Sequence, residues 1–291
     1  MTPGRAYALL ILVVAVWAGN FPLAKLGLGE LGPITLSATR AALAAPILIL
    51  LARLSDSPLP KLTRVDYRAF VLLSLTGLVC NTTVWFWGLK YTSPAAAGVL
   101  GASSPVAVSI AAAIFLKDRL SRWSVAGIVL TTSAVLLVVC RGSLDTLRTL
   151  SFNKGDLIVM ASQLAWVCYT LYSRANRSVL PPIVIQAGAY VVSLLILAPL
   201  CLFESPWISL RGASWRAWAA IVYTAIPVTL GHLWYYQAVR TVGPARTAVF
   251  MNLMPFAVLG LSWALLGESI RWYHAAGASL VIGGVALVTR K

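Results

Sequence analysis

One segment of this chain is written twice, 150 residues apart, and that repeat limits the possible folds more than any single motif. Pro94 and Pro244, Pro105 and Pro255, Asp118 and Glu268, and Gly127 and Gly277 each pair at that offset. Residues 81–140 set against 231–290 without a gap give thirteen identities. Both segments are rich in Ala, Leu and Val, which coincide easily, but prolines, glycines and acids do not. Upstream, Trp17 matches Trp166, Lys25 matches Arg174 and Pro33 matches Pro182 at an offset of 149. The duplication therefore covers nearly the whole chain, and two copies of one structural unit are expected.

The unit belongs in a bilayer. The chain is 59% hydrophobic and 11% charged, whereas a soluble domain is usually about one quarter charged. A bilayer-spanning helix needs about 20 apolar residues. Ten such windows lie at 6–28, 33–54, 67–90, 93–116, 123–140, 155–173, 182–203, 215–239, 244–266 and 272–288. The expected fold class is an all-α integral membrane protein, ten transmembrane helices in two five-helix repeats around a central cavity. A β-barrel would show alternation of period two in place of these unbroken runs. The first window belongs to the repeat and lacks a small-residue cleavage site, so it is expected to stay in the membrane.

Five spans per copy is an odd number, so the second copy must enter the membrane in the opposite sense. The result is an inverted repeat, which gives two exchangeable conformations from one packing scheme. Residues 1–140 form the first repeat, 141–154 a polar, turn-rich linker and 155–291 the second repeat. The net charge of +15 is scattered over loops, which argues against nucleic acid as a partner. Its distribution reads as orientation: cytoplasmic termini place fourteen Lys and Arg inside and eight outside, with Arg40 left within a span. The four cysteines are widely spaced in apolar windows and read as small buried hydrophobes.

Several short motifs, in order and duplicated, carry a resemblance. These are Trp17-Ala18-Gly19-Asn20-Phe21-Pro22, Arg40 within 38–44, Ser93-Pro94-Ala95 with Pro105, and Leu266-Gly267-Glu268 followed by Gly277. Together they resemble the EamA family of the drug/metabolite transporter superfamily, and within it the exporters of aromatic amino acids and methyl viologen. The resemblance implies ten helices, five plus five inverted, an inner-membrane location and export of small metabolites. Lys117-Asp118-Arg119 departs from the family's usual Gly-Glu-Arg, which weakens any role for that acid in the first half.

All eight acidic residues fall at helix ends or in loops. A proton-coupled exporter of cations usually keeps a carboxylate within the membrane to bind both cation and proton. Its absence here favours a neutral or zwitterionic substrate, and facilitated diffusion over antiport. Arg40 stands well inside a span, where an arginine costs about 2.5–3.5 kcal/mol on insertion scales. Pairing with loop carbonyls or helix ends on the cytoplasmic side is the reading preferred, with a carboxylate anchor as the alternative. His232 reads as a hydrogen-bonded core residue before a proton relay.

Tryptophans near helix ends (Trp123, Trp207, Trp215, Trp218, Trp272) suit the headgroup belt. Those in mid-span do not, and small-molecule pockets are walled by aromatic and apolar faces with a few polar groups. The expected substrate-binding set is Trp17, Asn20, Asn81, Trp85, Ser104, Gln163, Trp166, Tyr169, His232, Tyr235, Tyr236 and Asn252, with Trp87 as a further mid-span aromatic. Asn20-Phe21-Pro22 should kink or unwind the first helix, and Gly98, Gly101 and Gly231 with the two prolines 105 and 255 are candidate hinges, with helix packing through small residues as the equal alternative. No metal cluster, Walker loop or nucleotide fingerprint is present in the sequence, so no cofactor is expected.

The expected function is export of small amphipathic metabolites, chiefly aromatic and other neutral amino acids, by alternating access. The alternative is a proton-coupled exporter of cationic drugs. An intramembrane enzyme using Ser104 and His232 is disfavoured, because no Gly-x-Ser-x-Gly motif is present and catalysis needs no duplication. The expected partners are the small-molecule substrate and the lipid bilayer, and a monomer suffices.

Overall fold

The computed structural model describes residues 1–54, 61–92, 97, 100–101, 104–117, 120–139, 154–266 and 272–289. The first half contains α1 (Pro3–Leu28), α2 (Pro33–Arg53), α3 (Arg64–Tyr91), α4 (Ser104–Phe115) and α5 (Arg122–Val139). The second contains α6 (Lys154–Ala175), α7 (Pro182–Cys201) and α8 (Trp215–Val242). It closes with α9, which runs Pro244–Val249, Phe250–Leu253, Met254–Leu266, and α10 (Trp272–Thr289). A short helix, Pro206–Arg211, bridges α7 and α8. No strand occurs among the described residues. Most of the linker 141–154, together with Pro94, Gly98, Asp118 and Glu268, lies outside them.

The backbone is irregular where it approaches the middle of the bundle, though not where Pro22 predicts. α1 is helical without interruption through Pro22, so the expected unwinding does not occur. Instead Ser74–Thr83 of α3 is a ten-residue π-helix. There Thr82 Oγ1 donates to the Gly77 carbonyl at 2.9 Å and Thr83 Oγ1 to that of Leu78 at 3.2 Å, each five residues back. Such wide turns are uncommon and often mark functional segments. α8 breaks at Ile226 (φ −103°, ψ −71°), the residue before Pro227. The proline ring crowds its predecessor, which sits at the edge of the helical region. α9 tightens to a 3₁₀ turn at Phe250–Leu253 immediately before Pro255. Gly243, at φ 91°, joins α8 to Pro244 of α9 in a conformation a side chain would strain.

The helices pair across the two halves: α1 with α8, α3 with α6, α2 with α7, α4 with α9, and α5 with α10. Exchanging the halves turns α1·α8 into α6·α3 and leaves the other pairs unchanged. Small residues permit the close approaches, as is usual in membrane bundles. A Cβ on Gly155 would lie 2.7 Å from the Gly88 carbonyl, and one on Gly284 would lie 2.8 Å from that of Gly127. Around this small-residue interior, Leu12, Leu164, Leu195, Phe115 and Ile282 point outward. An apolar surface of this extent suits acyl chains and not water.

Polar joints sit at the two ends of the bundle. At one, Lys25 Nζ donates to the carbonyls of Leu89 (2.6 Å) and Thr92 (2.8 Å), capping the C-terminus of α3. Thr92 Oγ1 in turn donates to Asp156 at the start of α6, at 2.5 Å. At the same end Glu204 accepts from Thr35 N at 2.7 Å and Ile34 N at 3.2 Å, capping the N-terminus of α2. At the other end Arg174 Nη1 donates to the Arg240 carbonyl at 2.6 Å, the cap equivalent to that of Lys25. Ser178 Oγ there donates to Asp66 Oδ1 at 2.5 Å.

Candidate functional site

A cavity of about 130 Å³ lies between the halves. Its walls are Trp17, Asn20 and Phe21 from α1, Arg40 from α2, Asn81, Thr82 and Trp85 from α3, and Ser104 from α4. The second half contributes Gln163 and Trp166 from α6, Val228 and His232 from α8, and Met251 and Met254 from α9, while Gly101 completes the lining. The irregular stretches meet here: the π-helix supplies Asn81 and Thr82, the first turn after the α8 break supplies Val228, and the 3₁₀ turn supplies Met251.

The aromatic wall is a continuous cluster. Trp17 and Trp166, equivalent in the two repeats, meet edge to face with centroids 5.4 Å apart. Trp17 also lies 5.0 Å from His232 and stacks on Tyr235 at 5.6 Å. Its Nε1 donates to the Val228 carbonyl at 3.2 Å, which fixes the ring across the α1·α8 contact. Trp166 stacks on Tyr169 at 5.1 Å, and Phe21 meets Trp85 edge to face at 5.1 Å. Such rings combine large apolar area with defined orientation.

Polar groups interrupt the wall at few places. Ser104 Oγ donates to Gln163 Oε1 at 2.5 Å, and Asn81 Nδ2 donates to the Ser162 carbonyl at 2.9 Å. The Asn20 Oδ1 atom is buried without a hydrogen-bond partner among the described residues. Arg40 is 2% exposed. Its Nη2 donates to the Tyr190 hydroxyl at 2.7 Å and stands 3.3 Å from His232 Nδ1. That ring nitrogen also lies 2.9 Å from the Val228 carbonyl.

Of the residues expected from sequence, Trp17, Asn20, Asn81, Trp85, Ser104, Gln163, Trp166 and His232 come together on the cavity. Tyr169, Tyr235 and Tyr236 do not line it. They are buried behind, with their hydroxyls held by Gln186, Thr170 and Asn176 respectively. Asn252 is fully buried and also outside the lining, its amide without a partner among the described residues. Trp87, 45% exposed, faces outward. Period 3.6 explains the split: Trp85 and Trp87 differ by about 200° on a helix, so only one can face inward.

Arg40 corrects the reading preferred from sequence. Among the described residues it reaches no loop carbonyl or helix end; its partners are side chains of α7 and α8 at the cavity. Met251 and Met254 were also missed, although the repeat points to them, since Gly101 and Ser104 stand 150 residues earlier. Ser104 bonds to Gln163 and His232 to the α8 backbone, so the Ser–His pair of the enzymatic reading does not form.

A bundle that is helical among the described residues, with two-repeat pairing around an aromatic-walled cavity, fits a multi-pass membrane transporter. The chain belongs to the EamA-like transporter family, whose model matches residues 4–140 and again 153–290, and so to the drug/metabolite transporter type. It is 30% identical over 279 residues to the uncharacterized transporter YyaM of Bacillus subtilis, covering 95% of this chain and 91% of that one. It is 25% identical to a probable terminal-alkyne amino-acid exporter of Streptantibioticus cattleyicolor, over 100% of this chain and 95% of the relative. A probable amino-acid metabolite efflux pump of Salmonella typhimurium is 26% identical, with coverages of 95% and 92%. A solved structure, described only as a crystal structure of a protein, superposes with TM-score 0.76 at 21% identity over 98% of both chains, which supports the fold alone.

Proposed function

We propose that this transporter exports small amphipathic metabolites, with aromatic and other neutral amino acids as the best-fitting class, by alternating access between two inverted halves. The observation that carries the reading is the Trp17–Trp166 pair, contributed by equivalent helices of the two repeats and closing one wall of a cavity furnished with amide groups. A planar side chain would stack on these rings while Asn20, Asn81 and Gln163 meet the polar end of the solute. The printed names of two relatives, an amino-acid exporter and an amino-acid metabolite efflux pump, agree with this class.

Inversion is supported by where the polar joints fall. Asp156, at the start of α6, meets Thr92, which also binds Lys25 near the end of α1. This contact supports opposite directions for the two first helices of the repeats. The equivalent caps of Lys25 and Arg174 then sit at opposite ends of the bundle, as a two-fold axis in the membrane plane requires. The charge distribution supports cytoplasmic termini, and the family resemblance the inner membrane.

A cationic-drug exporter fits less well, since no carboxylate lines the cavity among the described residues whereas Arg40 does. The deciding measurement is uptake of labelled threonine, methionine and tryptophan into proteoliposomes with and without an imposed pH gradient. Saturable flux of these amino acids without the gradient is expected. Flux of organic cations alone, strictly dependent on the gradient, would refute the proposal.

A further inference from the structure

We infer that Arg40 is the anchor for a carboxylate on the transported solute, so that the carrier accepts solutes with an anionic group and rejects amines carrying the same side chain. The inference deepens the export reading and rests on it for the identity of the cavity. A guanidinium stays charged at any physiological pH and offers five donors in a planar fork. Arg40 is almost wholly buried, within a span, and neither of its hydrogen-bonding neighbours is an acid. Its Nη2 meets the Tyr190 phenol at 2.7 Å, with the guanidinium carbon 5.7 Å from that ring's centroid. The other neighbour is the imidazole of His232 at 3.3 Å, and Nε has no partner among the described residues.

No described acid is free to neutralise this charge. Glu30 is held by Ser214, Asp66 by Ser178 and Thr63, Asp156 by Thr92, and Glu204 by the N-terminus of α2. All four joints are at the ends of the bundle. A buried cation without a counter-ion is expensive, and this one lines the cavity. A solute carboxylate would complete it, because the guanidinium fork and the carboxylate match in geometry and make charge-assisted bonds. Trp17 and Trp166 then take the apolar part, and the unpartnered Asn20 Oδ1 offers an acceptor to an ammonium group.

The competing account is a clamp: through Tyr190 and His232, Arg40 ties α2 to α7 and α8. A clamp affects every solute alike, whereas an anchor affects selectivity, and that difference is the test. The full-length protein in proteoliposomes is assayed with labelled L-tryptophan, tryptamine and indole-3-propionate, which share an indole and differ in their charged ends. Tryptophan and indole-3-propionate should compete for one site, with tryptamine at least tenfold weaker. Arg40→Gln should raise half-saturation for both carboxylates at least tenfold and close the gap to tryptamine, with Arg40→Lys between. Should Arg40→Gln not fold, competition on the unaltered protein decides: tryptamine competing as well as tryptophan overturns the anchor. Equal loss of all three probes in folded Arg40→Gln also overturns it, in favour of the clamp. Arg40-dependent flux of indole-3-propionate without flux of tryptophan keeps the anchor and removes the amino-acid reading. Tryptophan flux indifferent to Arg40→Gln does the reverse, and no saturable flux of any probe overturns both.

Discussion

Replacing Trp17 with alanine should damage transport far more than folding. The ring is partly buried and borders the cavity, so although it packs on Trp166, His232 and Tyr235 its removal partly enlarges an existing space, which reduces the cavity penalty of a core truncation. Its hydrogen-bond acceptor is not orphaned either, because the Val228 carbonyl keeps its contact with His232 Nδ1 at 2.9 Å. A bound aromatic solute loses more. One stacked ring is worth about 0.5–1.5 kcal/mol, and the apolar area it covers about 1–2 kcal/mol more. The summed loss of about 1.5–3.5 kcal/mol corresponds to a rise of roughly 10- to 400-fold in half-saturation. Trp166→Ala is the contrast. That ring is 7% exposed and packed on Tyr169 and Tyr235, so truncation should cost about 3–5 kcal/mol of stability. The assay is tryptophan uptake per folded molecule alongside the thermal melt in detergent. Unchanged half-saturation in Trp17→Ala, or a melt lowered as far as that of Trp166→Ala, would refute the assignment of this ring to the solute path.

Two further outcomes follow from the packing and the end joints. Gly155→Leu should prevent assembly, since even a Cβ would lie 2.7 Å from the Gly88 carbonyl, whereas Gly101→Ala, with nothing within 4 Å, should leave the melting temperature unchanged; yield of monodisperse protein checks the first and a thermal melt in detergent the second. The Glu30 carboxylate accepts from Ser214 Oγ at 2.6 Å and Ser214 N at 2.7 Å, and these bonds hold its carboxyl below the usual carboxylate range. A carboxyl so depressed steadies the joint at any pH above its unfolded value, about 4.3, and loses that effect as pH falls through its folded value. Protection of the Ser214 amide from hydrogen exchange, relative to Glu30→Gln at the same pH, should therefore be greatest near neutrality and vanish in acid. A ratio constant with pH would contradict this.

Much of the architecture is legible in the sequence because membrane physics acts locally. A span must satisfy its own backbone hydrogen bonds and face acyl chains, so each of the ten apolar windows contains a helix among the described residues. The duplication adds pairing, since Trp17 and Trp166 occupy equivalent places in the two copies. Mid-span tryptophans and amides mark the cavity for a related reason: a polar or amphipathic group far from both interfaces needs a protein or solute partner.

What depended on the tertiary structure was which of these groups face inward. The π-helix of α3, the break at Ile226 and the 3₁₀ turn before Pro255 each rotate the residues that follow, so facing cannot be counted from a regular period. Tyr169, Tyr235 and Tyr236 stand one layer back because partners on neighbouring helices hold their hydroxyls. Arg40 turns inward for the same kind of reason: its phenol and imidazole neighbours come from α7 and α8, some 150 and 192 residues away in the chain. The sequence by itself determined a duplicated membrane bundle with an aromatic interior, whereas long-range packing alone decided that a cation without a counter-ion among the described residues looks into it.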